Sequence, residues 1–253
     1  MLKILLHGAA GKMGHMVAAC AAQMEDVQIA CGVDARTEEE NGFPMYCALG
    51  EVAVEFDIII DFSHASTLDS LLDFAVSRGK PCVIASTGHS DTQKKMIAAA
   101  SSKIPVFYSA NFSLGVNVLM TLCRKAATAL GGFDIEIVEK HHNQKVDAPS
   151  GTALMLADTI SSVLNDAPDY VYSRHELHSS RGKNEIGISA VRGGTIVGEH
   201  DVIFAGYQEV VTLSHTAYSR EVFANGALRA AKFLKLKSVG LFNMESMIEE
   251  CIG

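Results

Sequence analysis

The chain opens on a nearly continuous apolar run, Met1-Leu2-Lys3-Ile4-Leu5-Leu6-His7, the pattern of a parallel strand buried on both faces. The spacing then turns helical, with Met13, Met16, Val17, Cys20, Ala21 and Met24 on one stripe, and residues 27–33 predict a second strand closed by Asp34. The alternation continues with strands predicted over 56–62, 81–85 and 104–108 and helices over 66–77 and 91–101. Such alternation predicts an open α/β sheet. After a long helix over 113–130 the register changes. Phe133, Ile135 and Ile137 alternate with Asp134 and Glu136 in a strand over 133–139, a helix begins near Gly151, and strands over 185–191, 195–204 and 209–215 follow without helices between them. That segregation predicts a second, mixed α+β domain. Residues 166–184, polar and rich in serine and charge, predict a mobile surface loop. A helix over 220–236, one short apolar run and a last amphipathic turn or two over 238–251 close the pattern.

Between the first strand and helix stands Gly8-Ala9-Ala10-Gly11-Lys12-Met13-Gly14. Glycines at 8, 11 and 14 suit a tight turn, close passage of a pyrophosphate and close helix–strand packing, and Asp34 is placed to accept hydrogen bonds from a ribose diol. A glycine-rich turn alone is weak evidence; strand, helix and acid in their expected places make it a dinucleotide site. Ligands of such sheets bind beyond the carboxyl ends of the strands, here Ser63-His64, Ser86-Thr87-Gly88 and Ser109-Ala110-Asn111-Phe112. Ordinary turn chemistry would account for the same residues.

The densest chemistry lies in residues 139–153, where His141, His142 and Lys145 follow a strand and precede a helix that Ser150 would cap. Free N–H groups in that helix's first turn, the positive end of its dipole and the bare Gly151 make a seat for a carboxylate or phosphate. Lys145 would hold the anion and His141 or His142 would handle protons; the plain alternative is a loop with solvated histidines. A metal site is disfavoured, because adjacent residues of an extended segment point to opposite sides and the histidine spacing fits no usual ligand motif.

Composition narrows the class. A chain of 253 residues with 48% hydrophobic positions has a sizeable core in one large or two smaller domains, which excludes a disordered protein. Its net charge of −8 argues against a nucleic-acid partner, and against that background Lys140, His141, His142 and Lys145 form a local cationic cluster. The six cysteines form no C-x-x-C pair; four lie in apolar segments, and they read as reduced, buried thiols. No stretch approaches the roughly 20 apolar residues of a membrane span, and no charged segment with a long apolar run opens the chain, so a cytoplasmic protein away from membranes is expected.

Several separated blocks carry a further signal: the turn from Gly8 to Gly14, Ser86-Thr87-Gly88, Asn111-Phe112-Ser113-Leu114-Gly115-Val116-Asn117, residues 139–153, Val197-Gly198-Glu199-His200 and Phe223-Ala224-Asn225-Gly226-Ala227. With these blocks in this order the chain resembles, nearly end to end, the dihydrodipicolinate reductase family, the 4-hydroxy-tetrahydrodipicolinate reductases of the diaminopimelate route to lysine. The resemblance implies a Rossmann-like dinucleotide-binding domain of residues 1–112 completed by 221–253. It also implies a mixed α+β domain, 113–220, that binds substrate and builds a homotetramer. It assigns His141 as proton donor or acceptor and Lys145 as proton donor, with His142, Gly151 and Thr152 on the substrate. NADH or NADPH would contact Gly8, Ala9, Ala10, Gly11, Lys12, Met13, Asp34, Ala85, Ser86, Thr87, Ser109, Ala110, Asn111 and Phe112.

The implied reaction reduces 4-hydroxy-tetrahydrodipicolinate, via dihydrodipicolinate, to tetrahydrodipicolinate. Hydride reaches a conjugated imine and a proton the neighbouring carbon, so a small cyclic dicarboxylate needs anion anchors and one acid. An unperturbed pKa of about 6.5 makes His141 the better donor near neutral pH. A dinucleotide-binding redox sensor is the competing class, but it has no need of a cation cluster facing the nicotinamide; substrate-dependent oxidation of the coenzyme discriminates the two. Many family members carry arginine directly after the acid of the second strand, whereas this chain has Asp34-Ala35-Arg36. Asp34 favours a free ribose diol, while Arg36 is displaced by one residue and Lys12 can assist a phosphate, so NADH is expected to serve at least as well as NADPH.

Overall fold

A computed structural model of the chain describes residues 1–37, 42–175 and 177–252. They divide into two compact units, Met1–Leu114 with Glu221–Gly253, and Gly115–Arg220.

The first unit is built on a seven-stranded sheet. Its strands are β1 (Leu2–His7), β2 (Val27–Val33), β3 (Met45–Tyr46), β4 (Ile58–Asp61), β5 (Cys82–Ile84), β6 (Pro105–Tyr108) and β12 (Gly240–Phe242), in the spatial order β12-β6-β5-β4-β1-β2-β3. Every pairing in it is parallel. The helices are α1 (Lys12–Ala21), α2 (Leu68–Ser77), α3 (Asp91–Ala100), α6 (Glu221–Leu234) and α7 (Met244–Ile252). Period-2 geometry sends Ile4 and Leu6 to one side of the sheet, against Val17 of α1 and Ala227 and Ala231 of α6. It sends Leu5 to the other side, against Leu68, Leu71 and Ile97 of α2 and α3. Both faces are covered, which is why these strands are apolar without alternation; each such side chain stabilises the unit by roughly 1.5–3 kcal/mol. Two elements differ from expectation. The two-residue β3 has no period to read, and the closing apolar run is a strand paired with β6 and followed by a nine-residue helix, longer than a turn or two.

The second unit holds a mixed sheet in the order β11-β10-β7-β9-β8. Its strands are β7 (Asp134–His141), β8 (Asp169–Val171), β9 (Glu185–Arg192), β10 (Gly198–Gly206) and β11 (Glu209–Ala217); β7 runs antiparallel to β10 and parallel to β9. The helices α4 (Leu114–Ala129) and α5 (Gly151–Ser161) cover one face over a core of Ile135, Ile137, Ile186, Ile188, Val202 and Phe204. The loop expected over 166–184 is not free. Residues 169–171 add the edge strand β8, Arg174 pairs with Glu136 and Glu185, and Arg181 pairs with Glu136 and Asp134 while donating to the Ile135 and Glu185 carbonyls. The β7 partners of both arginines lie 38 to 47 positions away in sequence.

Of the cysteines, Cys20, Cys31, Cys82 and Cys123 are buried and burial raises each thiol, Cys31 to about 11 and Cys123 to about 12. Cys47 is exposed, contrary to expectation. No helix of the described residues is long and apolar enough to cross a membrane.

Candidate active site

In the first unit, Gly8 takes φ +80°, and a Cβ there would stand 2.7 Å from the backbone of Phe62 and Ser63. A Cβ on Gly14 would lie 2.3 Å from the Gly8 carbonyl oxygen, so α1 sits directly against the turn, and a side chain at either position would displace backbone. The N-cap of α1 is Gly11, which supplies no capping side chain, leaving first-turn N–H groups for a ligand. Asp34 accepts hydrogen bonds from the N–H of Ala10 at 3.1 Å and of Arg36 at 3.1 Å. Arg36 folds back over the turn and donates to the Ala10 carbonyl at 2.6 Å. Ala9 and Ala10 are buried, Met13 is half-buried and Lys12 is exposed.

The serines beyond β5 and β6 are engaged within the first unit. Ser86 Oγ donates to Asp61 at 2.5 Å and lies 3.1 Å from His89 Nε2, while Ser109 Oγ donates to the Asn111 carbonyl at 2.9 Å. Burial works against a charge on Asp61, but hydrogen bonds from His7, Ser63 and Ser86 hold its carboxyl below the usual range. Phe112 is locked between Phe62 and Phe107, and Ala85 is buried. Thr87 and Ala110 are exposed.

In the second unit, the burial of β7 places Ile135, Ile137, Glu139 and His141 in one inward row. Glu139 is wholly buried. Its Oε1 accepts from Arg192 Nη2 at 2.7 Å and from the N–H of Ser150 at 2.9 Å; its Oε2 accepts from Arg192 Nη1 at 2.8 Å and lies 2.6 Å from His141 Nδ1. Burial would raise this carboxyl, but the hydrogen bonds from Arg192, His141 and Ser150 prevail and lower it. On β10, in register with Glu139, stands His200. Its ring meets that of His141 edge-on at 5.2 Å, and its Nε2 lies 2.9 Å from the hydroxyl of Ser150, which caps α5 by accepting from the N–H of Ala153. Burial, aided by the charge of a protonated His141, pushes His200 down to about 4, so it is neutral at neutral pH.

His141 does not keep the ordinary value that recommended it as an acid. Burial lowers it, Glu139 opposes, and the charges of Lys145 and Arg192 lower it further. His142 points elsewhere, lining a cavity of about 380 Å³ with Asn143, Gln144, Gly194, Thr195, Val197 and Arg220. Lys145 is held 2.9 Å from Asp147. At the start of α5 Gly151 is exposed, a Cβ on it would meet only open space, and Thr152 is half-buried.

The structure therefore brings His141 together with the N-terminus of α5 but leaves Lys140 out. Since β7 extends to residue 141, parity turns Lys140 to the other face, where it pairs with Glu199 at 3.0 Å and Asp201 at 3.2 Å. Sequence reasoning gave no role to Glu139, Arg192 or His200. The signal for Glu139 was present, an acid at the inward parity of a strand; Arg192 lies 53 positions away and needs β9 beside β7 to be seen.

Comparison with known proteins covers both units. A family model described as dihydrodipicolinate reductase, N-terminus, matches residues 2–112, and its C-terminal counterpart matches 115–248. The 4-hydroxy-tetrahydrodipicolinate reductase of Caldanaerobacter subterraneus subsp. tengcongensis is 53% identical over 250 residues, 99% of each chain. That of Clostridium tetani is 47% identical over 249 residues, 98% of this chain and 97% of the relative. Among solved structures, a dipicolinate-bound dihydrodipicolinate reductase from Paenisporosarcina sp. TG-14 superposes with a TM-score of 0.81 at 22% identity, covering 96% of this chain and 97% of that one.

Proposed function

The chain belongs to the dihydrodipicolinate reductase family, and from that premise we propose that its second unit seats the dicarboxylate while His141 and Lys145 supply the proton. The reaction is the NAD(P)H-dependent reduction of 4-hydroxy-tetrahydrodipicolinate to tetrahydrodipicolinate on the diaminopimelate route to lysine. The nicotinamide supplies the hydride. The first unit fits a dinucleotide, since any side chain at Gly8 or Gly14 would fill the turn, α1 has no side-chain cap, and Asp34 stands beside it. The coenzyme would lie on Gly8, Ala9, Ala10, Gly11, Lys12, Met13 and Asp34, and on Ala85, Ser86, Thr87, Ser109, Ala110, Asn111 and Phe112.

The observation that carries this reading is the buried His141, backed by an ionised carboxylate and set next to the N-terminus of α5. A protein that only sensed redox state would have no use for it. His142 contacts the substrate from the cavity it lines, and the Gly151 and Thr152 amides and Lys145 hold carboxylate. Their anionic load raises the proton affinity of His141 against the effect of burial, so the imidazole charges as substrate arrives. The bound dipicolinate of the Paenisporosarcina enzyme is a flat dicarboxylate of the kind this seat would take. Pyridine-2,6-dicarboxylate is expected to inhibit competitively with substrate and not with coenzyme; competition against the coenzyme would contradict the seat.

For the coenzyme, NADH serves at least as well as NADPH. Asp34 faces the ribose with its charge, while Arg36, though displaced by one residue, already reaches the turn and is available to a 2′-phosphate. Arg36→Ala is expected to lower kcat/KM for NADPH by about 10-fold, the worth of one charge-assisted hydrogen bond of ~1.5 kcal/mol, and for NADH by less than about 2-fold. A strong NADPH preference in the wild type that this substitution abolishes would overturn the assignment. We read the enzyme as cytoplasmic and homotetrameric; for the assembly, the support is the sheet face opposite α4 and α5, which carries exposed Val191 beside Lys140 and exposed Val210 toward the other end of the strands.

A further inference from the structure

The inward row of β7 reads Ile135, Ile137, Glu139, His141. An apolar residue at 139 would continue the core at no electrostatic cost, and replacing a buried ion pair by well-packed apolar groups is often neutral or stabilising. A carboxylate there is thus poorly explained by stability. Its two oxygens have about four acceptor positions, and all four are taken: two by Arg192, one by the N–H of Ser150 and one by the His141 ring. Three of those donors never release their protons. The contact with His141 is then a hydrogen bond only if Nδ1 carries the proton, which leaves Nε2 as the nitrogen whose proton comes and goes. Next to Nε2 stands Gly198, where a Cβ would lie 3.1 Å from that nitrogen.

We propose that Glu139 is a positioning residue that fixes a proton on Nδ1 of His141, so that only Nε2 exchanges a proton with the substrate, and that Gly198 keeps Nε2 uncrowded. Arg192 holds Glu139 ionised and, through the Asp147 carbonyl at 2.7 Å, ties the same device to the loop carrying Lys145. The inference rests on the reading of His141 as the proton-exchanging group. The charged and titratable groups facing that ring are Glu139 from β7, Arg192 from β9, His200 from β10 and Lys145 from the loop before α5.

The test uses the full-length enzyme labelled with 15N-histidine. In the wild type the neutral His141 is expected to give the signature of the Nδ1–H tautomer. Glu139→Gln should move that signature toward a mixture, lower kcat on the order of 100-fold with KM within about 3-fold, and displace the basic limb of the kcat profile to lower pH, because the carboxylate that raises His141 is gone. In a His141→Ala background the same change should cost less than about 2-fold, because a group acting through His141 has nothing left to act on. Gly198→Ala should lower kcat/KM with the tautomer intact. An unchanged tautomer with normal kcat in Glu139→Gln, or an equal loss with and without His141, would overturn the inference alone. Near-normal turnover of His141→Ala would instead overturn the reading beneath it. If Glu139→Gln does not fold, Glu139→Asp keeps the charge but draws it back from Nδ1 and passes through the same cycle.

Discussion

Lys145→Ala is expected to lower kcat/KM at least ~100-fold while the dissociation constant of the coenzyme stays within about 2-fold. The lysine lies between a strand that ends in His141 and a helix that begins at Gly151, so its loop is held at both ends. Its side chain is mostly covered, with 21% exposed, and its ammonium is matched to the far more exposed Asp147. That pairing keeps Asp147 below the usual carboxylate range and holds the ammonium in place. On the proposed roles, removing it takes away an anchor and a proton source together, and general-acid contributions alone are worth ~10²–10⁴-fold. The residues proposed to hold the coenzyme lie in the first unit, so coenzyme binding is the control. The neighbouring histidines separate by kinetic parameter. His141→Ala should depress turnover more than substrate affinity, and His142→Ala, at the cavity, should do the reverse. Near-normal turnover without Lys145 would remove it from the mechanism, and the opposite ordering of the histidines would mean their roles are exchanged.

Legibility followed the range of the interaction that fixes each element. β1, α1 and β2 were readable because both faces of a parallel sheet must be apolar and a helix stripe has its own period. By contrast, β3 exists because Met45 and Tyr46 find Gly32 and Val33, a fact of tertiary pairing that two residues cannot announce. The reading of 166–184 as a free loop failed for a similar reason: polarity is a sign of solvent only when the partners are absent, and Glu136 and Glu185 are supplied by other strands. Within the site, two extra residues at the end of β7 decided most of the outcome. They put His141 inside with Glu139 and turned Lys140 out of the cluster to which its sequence position seemed to assign it. The expected value of His141 was that of a solvated ring, and burial changed it.

Gly226→Ala is expected to destabilise the first unit, although sequence reasoning alone gives the opposite sign. Glycine in a helix interior costs about 1 kcal/mol relative to alanine, so the substitution would normally strengthen α6. Here a Cβ on residue 226 would stand 1.7 Å from the carbonyl oxygen of Phe112, an approach that no rotation relieves because the clash is with main chain. Phe112 cannot yield freely, being packed against Phe62 and Phe107, and Gly226 is flanked by the buried Ala224, Ala227 and Ala230. Overpacking typically costs ~1–3 kcal/mol, and an approach of 1.7 Å to main chain belongs at or above the upper end of that range, so after the propensity gain of about 1 kcal/mol a net loss of ~2 kcal/mol or more is expected. At roughly 2–4 °C per kcal/mol for a chain of this size, Tm should fall by about 4–8 °C or more. The displaced segment includes Asn111 and Phe112, which are proposed to contact the coenzyme, so KM for NADH should rise in the same variant while the tautomer of His141 in the second unit stays as it was. An unchanged or raised Tm would show that α6 and the Phe112 segment separate at little cost, and that the close approach is not what requires glycine at this position.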